Sequence, residues 1–482
     1  HEDREGRLWA GTFGGGLNLV VSPDCDSCLL QPDGPAPAFF AFKNDPDRAK
    51  SIGSDVVISL HEDQNGYMWI GTTNGLSRLD LKQLSGKDPD DAAHGLDFAT
   101  YSHSLTDLAS ISHNSIRNIF EDQRGIIWLA TYHGISKYGP YTRRFPGYLG
   151  IPVKGKSARV SAIMEDRRGE LWIGTTREGL IRYDRKEKKH QKIERLPGPA
   201  GIRLSEPIYS LLEDESGRIW IGCQQGLAIF DPSKNQAGYY PLSHTDQTGR
   251  YWGNAAVRDI FQDRQGDFWL GTDHGLVSFD PEKGTYRYSG NQGNGLNPVM
   301  VRDIEADAQG TLWIATAGLG LNRVHHSADG SLVFEQFTHD PQDPNSLISG
   351  QINSLMADET GIWIATGTGL SHYDLATGAI TNYGSETGFQ TIGLNGILKD
   401  SNGKLWISSQ TGISVFDPMN KTVINYNSDD GLENHDFVDN AVFKSREGEL
   451  FFGGAEGFNA FFPADINKNP HSPPVVITDL RI

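Results

Sequence analysis

The sequence predicts an all-β fold, a β-propeller of four-stranded blades, and three observations carry that reading. A motif of the form Asp-x-x-Gly-x-apolar-Trp-apolar-Gly/Ala-Thr recurs along the chain, with tryptophans at Trp9, Trp69, Trp128, Trp172, Trp220, Trp269, Trp313, Trp363 and Trp406, and a tenth copy that carries Phe451 in their place. After two intervals of 60 and 59 residues, successive copies lie 43 to 50 residues apart, the length of one propeller blade. The 482 residues include 56 glycines and have a mean hydropathy of -0.44, which suits short strands joined by turns better than long helices.

Each copy reads as a β-meander. Tyr209-Ser-Leu-Leu-Glu-Asp214, Arg218-Ile-Trp-Ile-Gly222, Gly226-Leu-Ala-Ile-Phe230 and Gly238-Tyr-Tyr-Pro241 are four apolar or aromatic runs separated by Gly, Asp, Ser and Pro turns. A single meander cannot bury both faces, so neighbouring copies must stack around an axis. The motif residues read as scaffold. Asp214 and Gly217 suit a tight turn, the Trp fills space between blades, and the small residue before Thr leaves room where strands crowd together.

The two long intervals contain insertions. One runs from Ser22 to Pro37 and holds Cys25 and Cys28; the other runs from Leu81 to Leu96. One Cys-x-x-Cys pair is too few ligands for a structural zinc site, and no thioredoxin-like βαβ pattern follows it, so a local disulfide or unpaired thiols is the expectation. Acidic loops such as Phe337-Thr-His-Asp-Pro-Gln-Asp-Pro-Asn-Ser346 lack the glycine and terminal Glu of a calcium loop and read as Asx and Pro turns.

Net charge of -18 disfavours nucleic acid and anionic lipid as partners. No run approaches 18 apolar residues, so no membrane span is expected. His1 stands inside a blade motif, so the N-terminus reads as a cut or processed boundary, and the lack of a signal peptide carries no weight.

The run Ile208-Tyr-Ser-Leu-Leu-Glu-Asp-Glu-Ser-Gly-Arg-Ile-Trp-Ile-Gly222 resembles the two-component regulator propeller repeat. The ending Gly448-Glu-Leu-Phe-Phe-Gly-Gly-Ala-Glu-Gly-Phe-Asn-Ala-Phe-Phe-Pro463, followed by Pro473-Pro-Val-Val-Ile-Thr-Asp-Leu-Arg-Ile482, is similar to that family's last blade running into an immunoglobulin-like sandwich. The resemblance implies the periplasmic sensor of an inner-membrane receptor, commonly with fourteen repeats in two seven-bladed rings. Such receptors continue into the sandwich, a membrane helix and a cytoplasmic kinase or cyclase, and many members assigned a ligand respond to oligosaccharides. This chain departs in having ten repeats and in ending one strand into the sandwich.

Counted back from the end, the copies from Trp172 to Phe451 make one closed seven-bladed ring, and those at Trp9, Trp69 and Trp128 make three blades of another. The expected division is therefore 1–150, 151–468 and 469–482, the last a first sandwich strand; a single ten-bladed ring is the alternative. Tyr138 to Tyr148, rich in Pro and Gly, is the expected join.

No catalytic motif is present: no Gly-x-Ser-x-Gly, no His-Glu-x-x-His and no phosphate loop. No cofactor or metal ligand set is expected either; His325 and His326 are adjacent on a strand and point to opposite faces. Function is expected where loops converge near the axis. Loops entering the innermost strands hold Arg159, Tyr209, Trp252, Asn254, Arg258, Met300, Arg302, Asn353, Asn395 and Asn440, and those after the Gly-Thr step hold Arg177, Gln225, His274 and Glu456. Aromatic faces suit sugar rings, and Arg and Asn suit hydroxyls or carboxylates. Trp252 is the one tryptophan outside the motif and so the sharpest ligand candidate. Arg258 and Arg302 occupy matching places in successive copies, where pairing with Asp259 and Asp303 is the structural alternative.

The expected function is ligand sensing without catalysis, with a small ligand, in particular an oligosaccharide, as partner and a homodimer as the form of the parent receptor. The competing readings are a propeller-type polysaccharide lyase, with Tyr209 or His274 as base beside Arg258, and a protein-interaction platform.

Overall fold

The computed structural model describes residues 1–21, 38–84, 96–104, 110–122, 125–139, 147–149, 152–153, 156–187, 189–198, 202–204, 207–245, 251–289, 299–326, 332–390, 393–432 and 436–466. The described residues fall into two compact units that divide between Arg143 and Arg144. The segment 469–482, Cys25 and Cys28 lie outside the described residues.

The first unit holds three antiparallel sheets. Trp9–Gly11, Leu17–Val21 and Ala38–Phe42 form one, Val57–Glu62, Tyr67–Thr72, Gly75–Asp80 and Phe98–Tyr101 the next, and Ile116–Glu121, Ile127–Thr131 and Gly134–Tyr138 the third. The second unit holds seven four-stranded sheets, called here A to G in chain order. Their innermost strands are Val160–Glu165, Ile208–Glu213, Val257–Gln262, Val301–Ala306, Ile352–Ala357, Leu394–Lys399 and Phe437–Lys444. Each innermost strand packs against that of the next sheet, and Phe437–Lys444 of sheet G packs against Val160–Glu165 of sheet A.

Sheet G takes its outer strand from the other end of the unit. Gly147–Leu149 pairs antiparallel with Gly457–Phe461, in the register Gly147 to Asn459, Tyr148 to Phe458 and Leu149 to Gly457. These three residues fall in the segment 1–150 read from sequence as the first group of blades. Their ladder bonds to sheet G place them in the second unit, which is why the compact units divide a few residues earlier.

The repeated motif has a shared bonding scheme. In each of the nine Trp copies the indole Nε1 donates to Oδ2 of the motif Asp, as in Trp9 to Asp3 at 2.8 Å, Trp69 to Asp63 at 2.7 Å, Trp220 to Asp214 at 2.8 Å and Trp406 to Asp400 at 2.9 Å. The other oxygen accepts turn amides, so one carboxylate closes the turn and satisfies a buried indole. The tenth copy, with Phe451 and no indole donor, carries Ser445 in the Asp place; Ser445 Oγ accepts only the Glu449 amide, at 3.0 Å. Trp220 fills the gap to the next sheet and stacks on Phe268 with centroids 3.7 Å apart. Gly222 is small because a Cβ there would lie 2.7 Å from the backbone oxygen of Val257, on the next sheet's innermost strand.

Candidate functional site

A cavity of about 780 Å³ runs between the innermost strands of the second unit and takes lining residues from all seven sheets, among them Ala162, Ser210, Asp259, Asp303, Ser354 and Asn440. The innermost strands share one irregularity. Every innermost strand of the unit carries a β-bulge near its start, and in sheets A to F one extra residue is set against the second strand: Ser161, Tyr209, Arg258, Arg302, Asn353 and Asn395. A bulge re-aims the side chain it carries. Five of the ten residues picked from sequence as ligand-binding therefore share one structural position.

The structure gives those five different tasks. Asn353 Nδ2 donates to Leu394 O at 2.8 Å, and Asn395 Nδ2 to Phe437 O at 2.6 Å, so both amides tie their sheet to the backbone of the next. Ser161 Oγ does the same to Ile208 O at 2.6 Å. The guanidinium carbon of Arg258 sits 3.9 Å from the centroid of the Tyr209 ring, a close cation–π contact between two sheets. Tyr209 Oη donates to Gln224 Oε1. Burial raises the Tyr209 hydroxyl above its ordinary pKa, against the pull of Arg258, so the phenol is a neutral donor near neutral pH. Arg302 Nη1 donates to Asn353 Oδ1 at 2.6 Å and to Asp439 Oδ2 at 3.0 Å.

The acids beside these arginines do not pair with them. Asp259 Oδ2 and Asp303 Oδ1 both accept the Ile304 amide, at 2.9 and 3.0 Å, and Asp303 Oδ2 accepts the Leu355 amide at 2.6 Å. Among the described residues no cation forms an ion pair with Asp259, Asp303 or Glu305. Burial, and then the charge of Asp303, pushes Asp259 well above the usual carboxylate range. Burial raises Asp303 to about 6 and, with the charges of Asp303 and Asp259, holds Glu305 well above its usual value. The pair therefore holds a proton on the acid side of neutrality. Asp259 and Asp303 attracted attention in the sequence only as partners for arginine. Glu305 was missed, and its place one turn of the strand pleat beyond Asp303 in the run Val301-Arg-Asp-Ile-Glu305 was the available signal.

At the other end of the innermost strands Lys399 Nζ bridges Asp358 at 2.9 Å and Glu359 at 3.0 Å, and Lys444 Nζ donates to Lys399 O at 2.7 Å. These groups also line the cavity and were not anticipated.

Of the ten residues picked from sequence as ligand-binding only Tyr209 and Arg258 line the cavity; Arg302, Asn353, Asn395 and the rest lie apart from the lining. Arg177, Gln225, Asn254 and Glu456 are exposed. His274 Nε2 is 3.9 Å from Asp273 Oδ1, and Arg159 Nη1 reaches Asp436 Oδ2 at 3.4 Å. The backbone of Trp252 belongs to Tyr251–Asn254, paired with Ser243–Thr245 in a ribbon that precedes sheet C; its side chain lies outside the described residues. Among the described residues no helix is long and apolar enough to cross a membrane, and no group of three His, Cys, Asp or Glu side chains is arranged to hold a metal.

Five segments, residues 51–74, 110–133, 154–177, 203–225 and 246–274, match the model of the two component regulator propeller. The chain carries two component regulator propeller repeats. The matched segments fall in both units, two in the first and three in the second. Among solved structures the chain is similar to one described as the extracellular domain of a hybrid two component system, BT3049 of B. thetaiotaomicron, at 24% identity and a TM-score of 0.69, over 99% of this chain and 58% of that one. Two structures of the BT4673 extracellular domain from the same organism, described as hybrid two component and one component systems, match at 20% and 19% identity with TM-scores of 0.54 and 0.52, each over 96% of this chain and 63% of that one. The propeller chain thus spans about three fifths of these structures, and at such identities the likeness establishes the fold. No curated protein is significantly similar to it in sequence.

Proposed function

We propose that this chain is the extracytoplasmic, periplasmic ligand-sensing part of a bacterial two-component-type receptor, and that its seven sheets A to G form one closed ring around the binding cavity. The observation that carries the reading is the cavity itself: about 780 Å³, within the size range of small-molecule sites, with polar side chains converging from sheets B to G of a unit in which sheets A to C match the repeat of a signalling family. Tyr209 and Arg258 supply a flat face and a cation, and Ser210, Ser354 and Asn440 supply hydroxyl and amide groups, a set suited to an oligosaccharide. The ligand is bound and released unchanged, and in the parent receptor two copies pair so that occupancy alters the geometry of the pair.

Thermal-shift screening of the whole chain against neutral and acidic oligosaccharides tests this reading. A saturable rise in melting temperature that disappears in Tyr209→Ala supports it. A chain that no member of the panel stabilises, or one that cleaves uronate polymers to unsaturated products absorbing in the ultraviolet, overturns it.

A further inference from the structure

Sheet G differs from the other six at the bulge. In sheets A to F a single residue is extra, whereas in sheet G the register runs from Phe437 opposite Gly454 to Val442 opposite Phe452, so that four residues, Val438 to Ala441, face Gly453 alone. The surplus chain reaches the opposite side of the cavity. Asp439 Oδ2 accepts Arg302 Nη1 of sheet D at 3.0 Å, and Asn440 Oδ1 accepts Ser354 Oγ of sheet E at 3.0 Å. Asn440 sits at φ 52°, one of three non-glycine residues with a left-handed backbone among those described.

The two ends of the Arg302–Asp439 contact are unequally held. The Arg302 side chain is 21% exposed and that of Asp439 is 53% exposed. Arg302 is fixed from behind by Asn353, whose own amide is bonded to Leu394 O, so the guanidinium keeps its place if Asp439 leaves. Its Nε is buried and has no hydrogen-bond partner. A guanidinium whose acidic partner is the more exposed end of the contact can exchange it for another planar carboxylate or for a sulfate.

We propose that Val438 to Ala441, of which Asn440 lines the cavity, is an autoinhibitory strap at the cavity's edge, and that a carboxylate or sulfate group of the ligand releases it by taking the place of Asp439 on Arg302. The proposal rests on the ligand-sensing reading and adds the ligand class and the element that moves. Asp439 acts as an internal competitor: it lowers apparent affinity by the fraction of molecules in which the strap is closed.

Calorimetric titration of the whole chain with galacturonate, inorganic sulfate and neutral galactose tests the strap. Asp439→Asn should bind galacturonate or sulfate about tenfold more tightly than the native chain, the gain expected if the strap is open in about a tenth of molecules, and should leave galactose unchanged. Arg302→Gln should lose the anion in both backgrounds, and amide exchange across residues 438–442 should speed up when the native chain is saturated. Equal anion binding by the native chain and Asp439→Asn overturns the strap, as does anion binding by a folded Arg302→Gln. If Arg302→Gln does not fold, the Asp439→Asn comparison decides. Failure of every form to bind either anion overturns the ligand class. Stabilisation by a neutral oligosaccharide in that case leaves the sensor reading standing, so the two failures are distinct.

Discussion

Asp259 and Asp303, from the innermost strands of neighbouring sheets, place one carboxylate oxygen each on the same amide, the N–H of Ile304, at 2.9 and 3.0 Å. One donor cannot satisfy two full negative charges in a buried site, and burial raises both carboxyls toward the form that keeps its proton.

That proton makes stability pH-dependent in a stated direction. Burial raises Asp303 to about 6 in the folded chain, against about 3.9 for an unfolded aspartate. As pH rises, the unfolded chain loses this proton first, so the stabilisation present below about pH 4 is lost as pH passes through about 6. A shift of this size is on the order of 3 kcal/mol. The facing groups are Tyr209 and Ser210 from sheet B, Arg258 from sheet C, Glu305 from sheet D, Ser354 from sheet E and Asn440 from sheet G. Thermal melts of the native chain should fall between pH 4 and pH 7, and Asp259→Asn should flatten that slope. An unchanged slope in Asp259→Asn would show that the pair is not its source.

Removing a motif aspartate should cost according to how buried its tryptophan is. Asp214→Ala strands the indole N–H of Trp220, which is 0% exposed, and opens a turn; a loss of about 2 to 4 kcal/mol is expected. Asp122→Ala affects Trp128, which is 38% exposed and can turn to water, and should cost under about 1 kcal/mol. Denaturant unfolding of the two variants compares them directly.

Arg258→Ala removes the guanidinium from the Tyr209 face, a contact worth about 0.5 to 2 kcal/mol. The melting temperature should drop by only a few degrees, while ligand-induced stabilisation should be lost. Retention of the full ligand shift would move the site away from this end of the cavity.

The outer strand Gly147–Leu149 should matter to the second unit alone. A chain of residues 144–467 should melt higher than one of residues 151–467, because the shorter chain leaves the edge of Gly457–Phe461 unpaired. Equal melting temperatures would show that the pairing adds nothing to stability.

Much of this architecture was legible in the residues. The spacing of the tryptophans marked the ten sheets, and the bulge residues Tyr209, Arg258, Arg302, Asn353 and Asn395 were singled out because they open each innermost strand. Their separation into backbone ties (Asn353, Asn395), a cation–π pair (Tyr209, Arg258) and a strap holder (Arg302) was not legible, because each task depends on what the adjacent or opposite sheet presents. The pairing of Trp with Asp was visible only as a turn signal. Yet the joint replacement in the tenth copy, Ser445 with Phe451, carries it in the sequence.

The sequence alone determined the all-β class and the repeating four-stranded sheet, because turn residues at fixed offsets and alternating apolar runs are local and repeat. Only the folded chain decided that Gly147–Leu149 completes sheet G, that Asp259 and Asp303 converge on one amide, and that Asp439 crosses to Arg302, a contact between residues 137 positions apart. Such contacts join residues distant in the chain through the packing of successive sheets, and no local periodicity encodes which of them meet.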